Sequence, residues 1–158
     1  MNEYGTLLKK DGRYSLRFER FFPLQREDVF RVITDPEAFK QWYPFATGEM
    51  DVKLGGKIAF DDGEGSTYEG IITELDPPHE FGFDEVGDLV NITIQEEDEG
   101  SRLIFIHIFD DDSWAVQTAA GWHRCLDALS QIINGEKVEW KDNAAALREI
   151  YSKAFDKE

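Results

Sequence analysis

Between Glu49 and Asp110 the chain repeats one unit, a segment with every second residue apolar, closed by a turn, and this repetition restricts the fold more than any other feature. The segment "GKIAFDD" runs into a turn at Gly63 and Gly65, "STYEGIITEL" stops at "DPPH", "EFGFDE" reaches Gly87, "DLVNITIQ" meets "EEDEG", and "SRLIFIHIFD" ends the series. A period of two is the spacing of a half-buried strand, and short polar connections join consecutive strands as antiparallel neighbours, so the region reads as a five-strand meander. Alternation puts Ile58 and Phe60, then Tyr68, Gly70 and Ile72, then Phe81 and Phe83, then Val90, Ile92 and Ile94 on the inward face. The last strand is apolar on both sides, with Leu103, Phe105, His107 and Phe109 on one and Ile104, Ile106 and Ile108 on the other. One side meets a helix or a cavity. The other calls for cover by the terminal helix or a second chain.

After Asp110 the period switches. "SWAVQTAAGWHRCLDALSQIING" carries Trp114, Thr118, Gly121, Trp122, Cys125, Leu129 and Ile132 at helical spacing, with Ser113 suited to the N-cap and Gly135 to the stop, so one helix of five to six turns is expected. A second amphipathic helix follows, with Leu147, Ile150, Tyr151, Ala154 and Phe155 on one face. Ahead of the meander, "RYSLRFERFFP" reads as a strand stopped by Pro23, and Val29, Phe30 and Ile33 mark a short helix. "TDPEAFKQWYP" is a still shorter one. Asp35 suits its N-cap and Pro36 its first helical position, Phe39 and Trp42 share a face, and Pro44 ends it.

The chain has 158 residues, 41% hydrophobic and 13% aromatic, enough for one core and one domain over residues 1–158. A formal charge of −16 repels nucleic-acid phosphates and anionic lipid surfaces, so neither nucleic acid nor membrane is expected as a partner. Most of the acidity falls in turns such as "FDDGEG" and reads as solubility. The opening "MNEYGTLLKKDG" lacks the apolar stretch of a signal peptide, no apolar run spans a bilayer, and the lone Cys125 excludes an internal disulfide, so a cytoplasmic location is expected.

Several spaced stretches, "FERFFPLQREDVFRVITDPEAFKQWYP" at 18–44, "GEMDVKLGGKIAF" at 48–60, "YEGIITELDPPHEFGF" at 68–83 and "GW" at 121–122, together resemble the activator of heat-shock-protein-90 ATPase homologue-like family, a branch of the START-like (SRPBCC) superfamily. The resemblance covers roughly residues 14–135 and leaves 136–158 as an additional helical segment. It implies an α+β helix-grip fold, in which a curved antiparallel sheet grips the long helix with a deep, mostly apolar cavity between them. Eukaryotic co-chaperones of this family carry a further N-terminal domain, for which there is no room before residue 14.

No constellation in the sequence demands an enzyme. His79, His107 and His123 fall on separate elements without a supporting cysteine, so no metal and no cofactor is expected, and "GEGST" is a turn, not a nucleophile elbow. Cys125 reads as a small core residue. The aromatics on elements that border the implied cavity are Trp42, Phe45, Phe60, Tyr68, Phe83, Trp114 and Trp122; with Tyr68 and His107 able to supply polar contacts, these residues form the candidate ligand-binding set. The leading expectation is non-catalytic binding of a small hydrophobic molecule such as a lipid, isoprenoid or polyketide-like aromatic, as carrier or stress-linked sensor. Two alternatives stay open: an enzyme of the cyclase or aromatase type using His107, and a co-chaperone-like module that binds a protein partner.

Overall fold

Eight antiparallel strands form one sheet in the computed structural model, which describes residues 4–155; residues 1–3 and 156–158 of the expected domain lie outside it. Strands β1 (Thr6–Lys10) and β2 (Arg13–Phe22) lead into helices α1 (Arg26–Thr34) and α2 (Pro36–Trp42). Strands β3 (Ala46–Met50), β4 (Lys57–Asp61), β5 (Thr67–Asp76), β6 (Glu80–Glu85), β7 (Asp88–Glu97) and β8 (Gly100–Phe109) follow. A 3₁₀ turn at Asp112–Trp114 then opens the long helix α3 (Ala115–Ile133), and α4 (Ala144–Phe155) comes last. The expected α+β helix-grip architecture is present.

The strand order β1-β2-β8-β7-β6-β5-β4-β3 is that of a meander, save that β2 pairs with the last strand, Phe18 opposite Phe105. That closure decides where the small helices go. The chain must cross from β2 to the far edge at β3, and α1 and α2 make this crossing while packing against α3. Their caps are local: the Asp35 carboxylate accepts a hydrogen bond from Glu37 N–H, and Pro36 occupies the first turn, where its missing N–H is not needed.

The alternation in the meander is read correctly: Ile58, Phe60, Gly70, Ile72, Phe81, Phe83, Val90, Ile92 and Ile94 are all buried, and Tyr68 is half-buried. Each buried Phe or Ile on this face stabilises the fold by roughly 1.5–3 kcal/mol. Gly70 leaves the room its neighbour needs, since a Cβ there would stand 3.1 Å from the Phe60 ring. Two strands are missed in the sequence, β1 and β3. Both are short edge strands, and β3 carries an irregularity in its pairing with β4, so neither shows clean alternation.

Helix α3 departs from the expected stripe. Its buried residues are Ala115, Ala119, Ala120, Trp122, His123, Cys125, Leu126, Ala128, Leu129 and Ile133, whereas Trp114 and Gly121 are exposed. The reason is that α3 is covered twice, by the sheet on one side and by α4 on another, so its buried arc is wider than one stripe. Ser113 is not the cap; the Asp111 carboxylate instead accepts from Ser113 N–H and starts the 3₁₀ turn. Gly135 ends the helix as expected, with φ +76°. Helix α4 buries Leu147 and Tyr151 on the concave side, where the Tyr151 ring lies 6.5 Å from Phe18, so it does not cover the outer face of β8. No helix among the described residues is long and apolar enough to cross a membrane.

Candidate functional site

Pro44 cannot extend α2, and Tyr43 at its C-cap is extended, with φ −94° and ψ 131°. This change of direction sends the Tyr43 ring into the space between sheet and α3. It stacks on Phe39 at 4.7 Å between centroids and meets Trp122 at 5.2 Å, Phe83 at 5.4 Å, Trp42 at 5.5 Å and Phe60 at 5.7 Å. The cavity expected there is therefore filled by Tyr43 and the aromatic residues around it. An open groove of about 310 Å³ lies elsewhere, along Leu7, Tyr14, Ala115, Val116 and Phe155.

The polar end of Tyr43 shows what kind of place this is. Its hydroxyl donates to Glu85 Oε1 at 2.5 Å, and the Tyr68 hydroxyl donates to Glu85 Oε2 at 3.1 Å. Burial raises the Glu85 carboxyl above its ordinary value, the two phenol bonds pull it back down, and nearby Asp88 pushes it up again. Among the described residues no Lys or Arg is ion-paired with Glu85. Both tyrosines are held well above their usual range, chiefly by burial and then by the carboxylate, and so remain donors.

One hairpin turn away, Asp88 holds a second chain of bonds. The Trp122 indole N–H donates to His107 Nδ1 at 3.0 Å, and His107 Nε2 lies 3.0 Å from Asp88 Oδ2. An indole only donates, so Nδ1 is the acceptor and the ring proton sits on Nε2, directed at Asp88. Burial lowers the His107 pKa, against a smaller upward pull from Asp88. A neutral His107 with both nitrogens engaged is a positioning group for Trp122. Cys125 is buried and its thiol is pushed up to about 12, which fits a core residue.

Of the candidate set, Trp42, Phe60, Phe83 and Trp122 are buried around Tyr43, Tyr68 reaches the cluster through Glu85 and by stacking on Phe60 at 5.1 Å, and His107 reaches it through Trp122. Trp42 Nε1 is buried without a hydrogen-bond acceptor in the structure. Phe45 and Trp114 do not join the interior, being 52% and 65% exposed. Phe45 has φ +64°, which turns its side chain outward, and Trp114 precedes the first buried residue of α3. Antiparallel order nevertheless places both at one end of the sheet. That end holds the C-termini of β4, β6 and β8, the N-termini of β3, β5 and β7, and the turn bearing Val86, which is 73% exposed at φ +53°. Positive φ on two bulky, exposed apolar residues costs of order 1–3 kcal/mol each, and such strain clusters at ligand clamps and switch regions.

Tyr43, Glu85 and Asp88 are absent from the expected set. Alternation contains the missing information: Glu85 follows Phe81 and Phe83 at steps of two, and Asp88 precedes Val90 and Ile92 in the same way. Both carboxylates thus belong to the inward face.

Comparison with known proteins agrees with this architecture. Solved structures of similar shape include a conserved protein of unknown function from Enterococcus faecalis, 16% identical, with TM-score 0.83 over 96% of this chain and 90% of that one. CalU16 from Micromonospora echinospora is 19% identical, with TM-score 0.73 over 98% and 95% of the two chains. The AHSA1-like protein from Aeromonas hydrophila is also 19% identical, with TM-score 0.66 over 80% and 96%. No curated protein matches. The family described as activator of Hsp90 ATPase homolog 1-like protein matches residues 23–134, which is most of the chain and runs from the end of β2 to the end of α3. This chain belongs to that family.

Proposed function

We propose that the protein binds a small hydrophobic molecule between the sheet and α3, without catalysis, and that the guest takes the volume now filled by the Tyr43 ring. The observation that carries this reading is the inward-facing Glu85 carboxylate at the end of an otherwise aromatic interior, held by two tyrosine hydroxyls and, among the described residues, by no Lys or Arg. Burying a charge in this way costs stability, and a carboxylate held by neutral donors alone fits a site kept for a ligand. Tyr43 lies in the short stretch between α2 and β3, next to Pro44 and the strained Phe45, so its ring can leave without disturbing the sheet ladders. The exposed Phe45, Val86 and Trp114 surround the end where the guest enters. His107 offers no free nitrogen for acid–base work, which favours binding over the cyclase-type reading.

The test is an NMR titration with a panel of flat aromatics and medium-chain lipids. Binding should shift the amides of Phe60, Tyr68, Phe83 and Trp122 together and collapse the ring-current shifts around Tyr43. If no member of the panel moves these resonances at millimolar concentration, the reading is wrong.

A further inference from the structure

Resting on the binding reading above, we propose that the guest of this site is an apolar molecule bearing a protonated amine, whose ammonium group takes the place of the Tyr43 hydroxyl on Glu85. Three observations converge on a cation. The first is the acceptor. Glu85 presents both carboxylate oxygens to the interior, and each is met by a neutral phenol O–H, while among the described residues no Lys or Arg is ion-paired with it. A carboxylate in partly dry surroundings is better served by a charged donor than by neutral ones, because charge-assisted hydrogen bonds are about twice as strong.

The second is the aromatic wall. Phe60 and Tyr68 stack at 5.1 Å and Tyr43 leans on Phe60 at 5.7 Å, so the volume filled by the Tyr43 ring is bordered by aromatic rings, and an aromatic face attracts an ammonium but gains nothing from an anion. When the Tyr43 ring leaves, the Phe39 face it stacks on and the Phe60 and Phe83 rings beside it become the apolar bed for the guest's body.

The third is the field at the entrance. The same end of the sheet carries Asp61, Asp62, Glu64, Asp84, Asp88, Asp110, Asp111 and Asp112. Several of these carboxylates have a turn-building role, as Asp61 has toward Gly63 N–H, Asp84 toward Gly87 N–H and Asp111 toward Ser113 N–H, but their charge remains. Basic residues described at this end are themselves engaged: Arg13 closes on Asp110 and Gly87 O, Lys9 lies over the Tyr14 ring, and Lys153 of α4 pairs with Glu149. Together with a net charge of −16, the entrance draws cations in and turns anions such as fatty acids away.

The experiment compares a matched pair, 2-(2-naphthyl)ethylamine and 2-(2-naphthyl)ethanol, by calorimetry and NMR at pH 7.5 against the wild type, Glu85→Gln and Tyr68→Phe. The amine should bind the wild type at least about tenfold more tightly than the alcohol, a gap of about 1.4 kcal/mol. Glu85→Gln should close the gap by weakening the amine about tenfold, to the level of the alcohol, and Tyr68→Phe, which keeps the charge, should retain most of it. If alcohol and amine bind the wild type equally and both shift Phe60, Phe83 and Trp122, the amine assignment is overturned and the pocket stands. If neither moves those residues, the pocket itself fails. An amine that shifts surface amides alone has been held by the acidic exterior, which also overturns the proposal.

Discussion

The interior holds two polar clusters, and they are built on different principles. On the α4 side, Arg20 from β2 lies 3.6 Å from Asp127 of α3, and His123 Nε2 lies 3.8 Å from the same carboxylate. His123 Nδ1 is 2.9 Å from the Tyr151 hydroxyl, which also accepts from Gly5 N–H at 2.8 Å. Here the carboxylate has a cation and four separate parts of the chain are tied together. At the other end, Glu85 has, among the described residues, phenols in place of a cation and joins α2 to the sheet by hydrogen bonds. The first arrangement is a latch, in which buried charge is neutralised and holds α4 against α3. The second rests, among the described residues, on neutral donors alone, and it is this difference that the binding proposal uses.

The largest way to break this contrast is at the latch. Tyr151 is fully buried, so Tyr151→Ala should cost about 3–5 kcal/mol through the cavity and the lost bonds, and release α4. Tyr151→Phe, which removes the hydroxyl alone, should cost about 1–2 kcal/mol. Urea denaturation measures both, and a Tyr151→Ala loss below about 1 kcal/mol would show that α4 is merely resting on the fold. Next in size is Trp122→Phe. It leaves His107 Nδ1 without its donor, and the expected loss is about 1–3 kcal/mol. With the opposing N–H gone, His107 should also protonate more readily, which a histidine NMR titration reads directly.

The smallest effects are in the pH dependence, where the two halves of the open-end cluster have opposite signs. His107 is depressed in the folded protein, so the unfolded chain binds the proton first, and stability falls as pH drops from 6.5 through the folded value. Glu85 is raised, so the folded chain holds its proton longer, and stability falls as pH rises from 4.5 through the folded value. Glu85→Gln should therefore raise the urea midpoint slightly at neutral pH and remove the second slope while keeping the first. A clear loss of stability in Glu85→Gln would mean that the carboxylate is structural, like Asp127, and the distinction between the clusters would fall.

Much of the fold is legible because local pattern and global fold agree. The inward face of β4 to β7 follows from alternation, and the caps Asp35, Pro36 and Gly135 follow from the dihedral demands of helix ends. Where two elements compete for one face, local pattern is insufficient. The stripe through Trp114 and Gly121 assumes that α3 has a single neighbour, and the presence of α4 rotates and widens the buried arc. Edge strands β1 and β3 escape notice because a strand with one partner needs no clean pattern. For the site, four aromatics of the candidate set are placed together, while Phe45 and Trp114 point to solvent because one positive φ and one 3₁₀ turn decide their direction.

What the sequence by itself determined was the order of the elements other than the edge strands β1 and β3, the inward face of the meander and the family, since each depends on spacing along a few neighbouring residues. The tertiary structure alone decided that Tyr43 fills the space under α3, that Glu85 is held by two phenols, and that His107 is spent on Trp122 and Asp88. These facts join residues from 15 positions apart, His107 and Trp122, to 79 apart, Tyr43 and Trp122, and their energies come from burial and the direction of donors, which no local period encodes.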